Sequence, residues 1–170
     1  LIDANAGNDA LVAVTASEDG AGDAEILAGG GVAVVAEAAS AAAVGLSSVV
    51  IAAEDDVVIR SKATTSTIAL TESTAETQGD VKVWAAAEEA SLVAIEATTI
   101  TSLGDDVAIG ASSKTGTAAV GVSDSEIKAE DNLTLLASTW SLESGATISV
   151  VDTQLTAVDE DVHIVGKAKD

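Results

Sequence analysis

Gly104-Asp105-Asp106-Val107-Ala108-Ile109-Gly110-Ala111 is the stretch that decides the fold. A small and acidic turn leads into an alternation that is apolar at Val107, Ile109 and Ala111, the period of two expected of a β-strand. The same signature returns as Glu54-Asp55-Asp56-Val57-Val58-Ile59, Gly79-Asp80-Val81-Lys82-Val83, Asp131-Asn132-Leu133-Thr134-Leu135 and Glu160-Asp161-Val162-His163-Ile164. Weaker copies start at Leu11 and Val32. The starts Leu11, Val32, Val57, Val81, Val107, Leu133 and Val162 are separated by 21, 25, 24, 26, 26 and 29 residues. A period near 25 with tolerated insertions means one supersecondary unit, repeated and stacked.

Aligned on those starts, the inward positions form columns. Leu11, Val32, Val57, Val81, Val107, Leu133 and Val162 head the first column. Ala13, Val34, Ile59, Val83, Ile109, Leu135 and Ile164 follow two residues on, and Ala36, Ser61, Ala85, Ala111, Ala137 and Gly166, all small, follow four residues on. A second strand reads as Val44/Leu46, Ile68/Leu70, Val93/Ile95, Val120/Val122 and Ile148/Val150. A third reads as Ile26/Ala28, Ile51/Ala53, Ile100/Ser102, Ile127/Ala129 and Leu155/Ala157, with a weak copy at Ala75/Thr77. Three short strands per repeat predict an all-β fold, a three-sided parallel β-solenoid of six to seven coils of about 25 residues. The expected organisation is one domain over 1–170. It comprises a partial coil at 1–10, coils starting at 11, 32, 57, 81, 107 and 133, and a partial coil at 162–170. The competing reading is helical or α/β, because 36–46 and 85–97 are rich in good helix formers.

Composition closes off several function classes. The chain has 170 residues, the length of one domain. It holds 28 acidic and 7 basic residues, a net charge of −21, which argues against binding nucleic acid or an anionic membrane. It has no Cys, so disulfides, thiol nucleophiles and Cys-ligated zinc are excluded, and His163 alone cannot build a His-rich metal site. A 48% hydrophobic content argues against disorder, and it is nearly all Ala, Val, Ile and Leu. The stretch 26–53 is long enough for a membrane span. It is mostly Ala, Gly and Ser with Glu37 at its centre, and it fits the repeat instead, so no membrane insertion is expected. The chain starts at Leu1 with no signal-peptide pattern, which reads as a mature fragment or processed subunit.

The pattern Gly/acidic-Asp-Val-x-Ile-x-Ala, with Ala/Val/Gly-rich interiors and Ser/Thr before the third strand, resembles the long repeat tracts of secreted bacterial filamentous adhesins. These are the haemagglutinin-type and giant autotransporter-like surface proteins, and the resemblance covers 11–170. It implies a right-handed β-helix used as a stalk or adhesive fibre, and an extracellular or cell-surface location.

No catalytic constellation is visible, and no enzyme activity is expected. Two features stand out instead. The acidic corners Asp55, Asp56, Asp80, Asp105, Asp106, Asp131, Asp159 and Asp161 all precede the first strand of a coil. Stacked about 4.8 Å apart, unit charges repel by about 0.9 kcal/mol even at the dielectric of water. Either Ca²⁺, suited to hard oxygen ligands, bridges the ladder, or Asp simply favours the turn and salt screens it. No cofactor other than Ca²⁺ is suggested.

The second feature is one outward face. Arg60, Lys62, Lys82, Lys114, Lys167 and Lys169 fall at odd offsets from the strand starts, as do Trp84, Trp140 and His163. Only Lys128 lies elsewhere. With Leu136 and Val165, the residues Arg60, Lys62, Lys82, Trp84 and Trp140 make a basic, apolar, Trp-bearing contact face on an acidic rod. Its expected partners are another rod, or glycans and cell surfaces through the Trp rings. Solenoid ends expose unpaired backbone, so the expected partner at the ends is the protein itself or further coils. The leading function is a non-catalytic building block of an extracellular filament or adhesin. The alternatives are a carbohydrate-binding module and, last, a polysaccharide-acting β-helix enzyme using Arg60 and Lys62 near Asp55/Asp56.

Overall fold

A computed structural model describes residues 1–15, 23–141 and 144–168, and every regular element among them is a β-strand. The strands run β1 (Ile2–Ala6), β2 (Asp9–Thr15) and β3 (Ala24–Ala28) in the first coil, then β4 (Val32–Ala38), β5 (Ala41–Ser47) and β6 (Val49–Ala53) in the second. The third coil holds β7 (Val57–Thr71) and β8 (Thr74–Thr77), and the fourth β9 (Val81–Glu96) and β10 (Thr99–Ser102). The fifth is β11 (Val107–Ser113), β12 (Ala118–Ser123) and β13 (Glu126–Ala129). The sixth is β14 (Leu133–Thr139), β15 (Ala146–Val151) and β16 (Gln154–Ala157), and β17 (Val162–Ala168) opens a seventh. The result is a β-solenoid of about six turns.

Every strand pairing is parallel to the strand one coil away. The registers place Val57 opposite Val81, Val81 opposite Val107, Val107 opposite Leu133 and Leu133 opposite Val162. The second-side and third-side columns are equally in register, including Ile68 opposite Val93 and Ile51 opposite the weak copy at Ala75. First and second sides form one eleven-stranded sheet, because β7 and β9 run unbroken through both, and the third side is a separate six-stranded sheet. A register irregularity between Ala63 and Thr65, opposite Ala87 and Ala90, marks the corner those two strands turn.

Burial follows the columns. Val34, Ile59, Val83, Ile109 and Leu135 are each 1% exposed or less. The next column, Ala36, Ser61, Ala85, Ala111 and Ala137, is fully buried and small, because it sits in a corner where the sides converge. The helix formers of 36–46 and 85–97 lie in β4, β5 and β9, where burial alternates with period two. A helix there would strand the ladder donors and acceptors of both neighbouring coils, a cost far above the few tenths of a kcal/mol at stake in Ala propensity. The stretch 26–53 is β3 to β6, and among the described residues no helix is long and apolar enough to cross a membrane.

The first coil departs from the expected count. Ile2 lies opposite Val34, so the chain's opening strand β1 belongs to the first side. Leu11 lies in β2, opposite Ala43 on the second side; Ala10 and Val12 point inward and Leu11 is 67% exposed. First-side strands begin at Val32, Val57, Val81, Val107, Leu133 and Val162, whereas Leu11, expected to open a coil, lies inside a second-side strand. The reason is physical: 10–14 is apolar at every position, so alternation cannot tell its two faces apart. The offset from Ile2 to Val34 is 32 residues, longer than later coils, and the extra length falls between β2 and β3.

Candidate functional site

The outer face of the first side carries the residues that the sequence groups together. Parallel register aligns Val35, Arg60, Trp84, Gly110, Leu136 and Val165 in one outward column. Lys82 and His163 fall in the column before it, and Lys62 and Lys167 in the column after. The Trp84 ring lies over Gly110: a Cβ on that glycine would stand 2.2 Å from the ring. Only glycine permits this approach, and it lets a large aromatic lie close against the sheet. Trp140, 63% exposed, follows β14 at the far margin of the face. With Lys62, Ala86, Glu88, Ser112 and Lys114 it borders an open groove of about 460 Å³. A second depression, of about 510 Å³, has Arg60, Lys82 and Trp84 among its walls.

The cations on this face are partly matched by the chain's own acids. Arg60 pairs with Glu37 at 3.0 Å, Lys82 with Asp80 and Lys114 with Glu88, all at half-exposed positions where such pairs contribute about 0–1 kcal/mol. The Lys82 ammonium is held above its ordinary pKa, first by its hydrogen bond to Asp80 and then by the fields of Asp80, Asp56 and Asp106. Lys62 and Lys167 form no ion pair among the described residues. Lys169 lies outside them, and Lys128 stands on the third side. Arg60 is engaged by Glu37, while Asp56 is four residues of extended strand away, about 13 Å.

The acidic corner is a backbone-capping ladder. Asp56 Oδ1 accepts the Asp80 N–H at 3.0 Å, Asp80 Oδ1 the Asp106 N–H at 3.2 Å, and Asp106 Oδ1 the Asn132 N–H at 2.8 Å. Each carboxylate thus satisfies the donor one coil on, at a turn where no strand partner exists. Asn132 Nδ2 continues the chain to Glu160 Oε2 at 2.7 Å. Asp55, Asp105 and Asp161 enter the ladder through their backbone carbonyls, which accept from the next or previous coil; Asp159 donates its N–H to the Glu130 carbonyl. Asp131 feels the crowding. Its carboxyl titrates above the ordinary carboxylate value because of desolvation first, then Glu160, Asp106, Asp105 and Asp159. Among the described residues no group of three or more acidic or histidine side chains is placed to hold a metal ion.

The corner between second and third sides went unread in the sequence beyond a note of its Ser/Thr. One residue per coil takes a left-handed backbone there: Ser48, Glu72, Ala97, Asp124 and Asp152, with φ between 46° and 52°. The residue after it carries a hydroxyl in four of the five coils: Ser73, Thr98, Ser125 and Thr153. Each hydroxyl donates to the carbonyl two residues back in its own coil, at 2.6 to 2.8 Å. Each also accepts a backbone N–H from the preceding coil, at 3.1 to 3.4 Å. The signal is the recurrence of Ser or Thr directly before β6, β8, β10, β13 and β16, five of the six third-side strands. Comparison with models of protein families, with curated proteins and with solved structures found no match.

Proposed function

We propose that this chain is a non-catalytic structural segment of an extracellular filament or cell-surface adhesin, a rod that extends by stacking coil on coil. One observation carries the reading. The two ends of the described solenoid are the same kind of surface as each internal coil–coil junction. At the far end Val150, Val162 and Ile164 are 37%, 42% and 52% exposed, although their column mates are fully or almost fully buried one coil earlier. β15, β16 and β17 present an unpaired parallel edge there, and β1, β2 and β3 present the complementary edge at the other end. Whatever meets these edges, further coils of the same chain or a second copy, continues the same ladder and core. The surface location rests on the likeness of repeat style to secreted adhesins, with a charge of −21 that suits a saline medium.

Negative-stain electron microscopy of the purified 170-residue chain, with and without millimolar Ca²⁺, tests this. Filaments about one solenoid wide, lost in an Ile164→Asp variant that still shows β-rich circular dichroism, are expected. Turnover of an acidic polysaccharide, or short rods at every concentration, would count against it. A carbohydrate-binding module is the second reading, favoured by Trp84 and Trp140 on one face. It requires that Trp84→Ala with Trp140→Ala abolish glycan binding while the fold persists.

A further inference from the structure

We infer that the outer face of the second side is a contact between two copies of this chain, packed face to face with their rod axes antiparallel. This goes beyond stacking at the ends and uses a different surface. Charge singles the face out. One central outward column reads Leu11, Ala43, Thr67, Leu92, Ala119, Thr147, and the column beside it, from Ala13 to Ser149, holds only Ala, Gly and Ser. Neither column carries a charge, and Asp9 and Glu96 stand only at the margins of the face. The outward columns of the first side carry Glu37, Arg60, Lys62 and Lys82, and those of the third side Glu25, Glu76, Glu126 and Lys128. Copies of net charge −21 repel, so they meet at least cost where neither brings a charge.

Relief fixes the occupant and its orientation. The first column repeats Leu, Ala, Thr twice, so Leu11 and Leu92 stand three strands apart, about 14 Å. They are 67% and 41% exposed, two knobs on a floor of small residues. Between them lies a hollow of about 310 Å³ whose walls include Leu11, Ala43 and Thr67. Ala119 and Gly121 leave a similar lack of bulk beyond Leu92. Knobs and hollows at one spacing suit a second copy and not a flat crystalline lattice. Two identical faces pack about a two-fold axis that runs along the rods or across them. An axis along the rods sets each coil on its own copy, so leucine coils meet leucine coils and hollows meet hollows. An axis across them, centred on β7, sets the second coil on the fourth and the first on the fifth. Leu92 then enters the hollow over Ala43 of the second copy, and Leu11 lies over its Ala119. Glu96 faces Ser47 and Asp9 faces Thr117. Glu72, at the corner one residue past the face, meets its own copy at the rim, where salt screens it. Only this second arrangement fits knobs to hollows.

The area is sufficient. Five strands of each copy overlap, about 4.8 Å apart and about seven residues of 3.3 Å long, and cover roughly 550 Å² per copy. The total, about 1,100 Å², reaches the size of a specific interface.

Sedimentation velocity of the full chain from low to high micromolar concentration tests the inference. It is run in the Ile164→Asp background to block stacking at the ends. A species of twice 16.6 kDa is expected, tighter at high salt than at low salt because like charges surround an uncharged contact. Leu92→Glu should weaken it about tenfold or more without changing circular dichroism. Ala43→Leu adds apolar surface but fills the hollow, so it should weaken the dimer too; a tighter dimer would mean unspecific adhesion and overturn the fit. Because the chain has no cysteine, single cysteines report orientation. A Cβ at Gly121 meets nothing within 4 Å, so the site tolerates one. Ala13→Cys copies should cross-link to Gly121→Cys copies and neither to itself. Self-cross-linking of Ala13→Cys would mean parallel rods and would overturn the geometry. A chain monomeric throughout, a dimer indifferent to Leu92→Glu, or a monomer that loses binding to a crystalline polysaccharide on Leu92→Glu would each overturn the contact. Wild-type filaments abolished by Ile164→Asp, with no face dimer left, would keep the rod reading while this inference fails.

Discussion

Replacing Thr98 by valine isolates the hydroxyl ladder, because valine keeps the volume and β-branching and removes one oxygen. Thr98 is 2% exposed, and its Oγ1 donates to the Glu96 carbonyl at 2.8 Å and accepts the Ser73 N–H at 3.4 Å. After substitution the Glu96 carbonyl still accepts the Glu72 N–H at 3.0 Å, so only the Ser73 donor is stranded, in a residue 7% exposed. Losing the hydrogen bonds costs about 1 kcal/mol, and the stranded donor about 1–3 kcal/mol. A buried methyl in place of the hydroxyl returns a little under 1 kcal/mol. The net expectation is about 2 kcal/mol. A stacked repeat does not unfold in one step, so a global midpoint dilutes a local loss. The better assay is native-state hydrogen exchange at the Ser73 amide, where 2 kcal/mol is about a 30-fold loss of protection. Thr98→Ser keeps the oxygen and should leave that amide near its wild-type rate. Exchange at Ser73 within threefold of wild type in Thr98→Val would refute the ladder as the device that satisfies this corner.

Three further outcomes are expected. Ser91 is 3% exposed and its Oγ has no partner among the described residues, while its column neighbour in the next coil is Ala118. Ser91→Ala should therefore stabilise its own coil by about 1 kcal/mol of relieved desolvation, read as slower native-state hydrogen exchange at the neighbouring strand amides, and faster exchange there would sink the idea. Gly110→Ala puts a methyl into the Trp84 ring, so in a Trp140→Phe background the Trp84 emission should shift to the red with stability nearly kept; unchanged emission would mean the ring does not cover that glycine. Asp131 has a carboxyl pKa raised in the folded state, so it favours folding when protonated, below its unfolded value, and that contribution is lost as pH rises through the folded value. Asp131→Asn should accordingly be more stable than wild type at pH 7, with the gap closing toward pH 4; a gap constant with pH would contradict this.

The columns Val57/Val81/Val107/Leu133 and Ile68/Val93/Val120 were legible because a buried side chain in a stacked coil must match the one above and below, and that constraint writes itself into spacing. The start at Leu11 was not legible, because Ala, Leu and Val on both faces carry no alternation and the long first coil breaks the count. Trp84, Arg60 and Leu136 could be grouped from offsets alone, since register is all that grouping needs. Their electrostatics could not: the pairing of Arg60 with Glu37 and Lys114 with Glu88 depends on side-chain reach across coils 23 and 26 residues apart, which spacing does not encode. The acidic corners are legible by position and by the turn preference of Asp, but spacing omits the turn N–H groups that the carboxylates satisfy one coil on.

That omission bears on why an acidic rod holds together. At each acidic corner the chain leaves first-side strands with an N–H that faces its neighbour and has no carbonyl to meet. Asp is short enough to accept it from the coil before, as Asp56 does for Asp80 and Asp80 for Asp106. A charged acceptor makes a hydrogen bond roughly twice as strong as a neutral one, about 2 kcal/mol against 1. Repulsion along the ladder is about 0.9 kcal/mol per neighbour before screening and roughly half that at physiological salt. The two effects nearly balance, and the sequence sits on that balance. Where the local field is densest, beside Asp131 and Glu160, the ladder position is Asn132, which keeps an acceptor and a donor and sheds the charge. The ladder's logic is thus backbone satisfaction at each turn, with charge tolerated up to the point where a neutral amide does better.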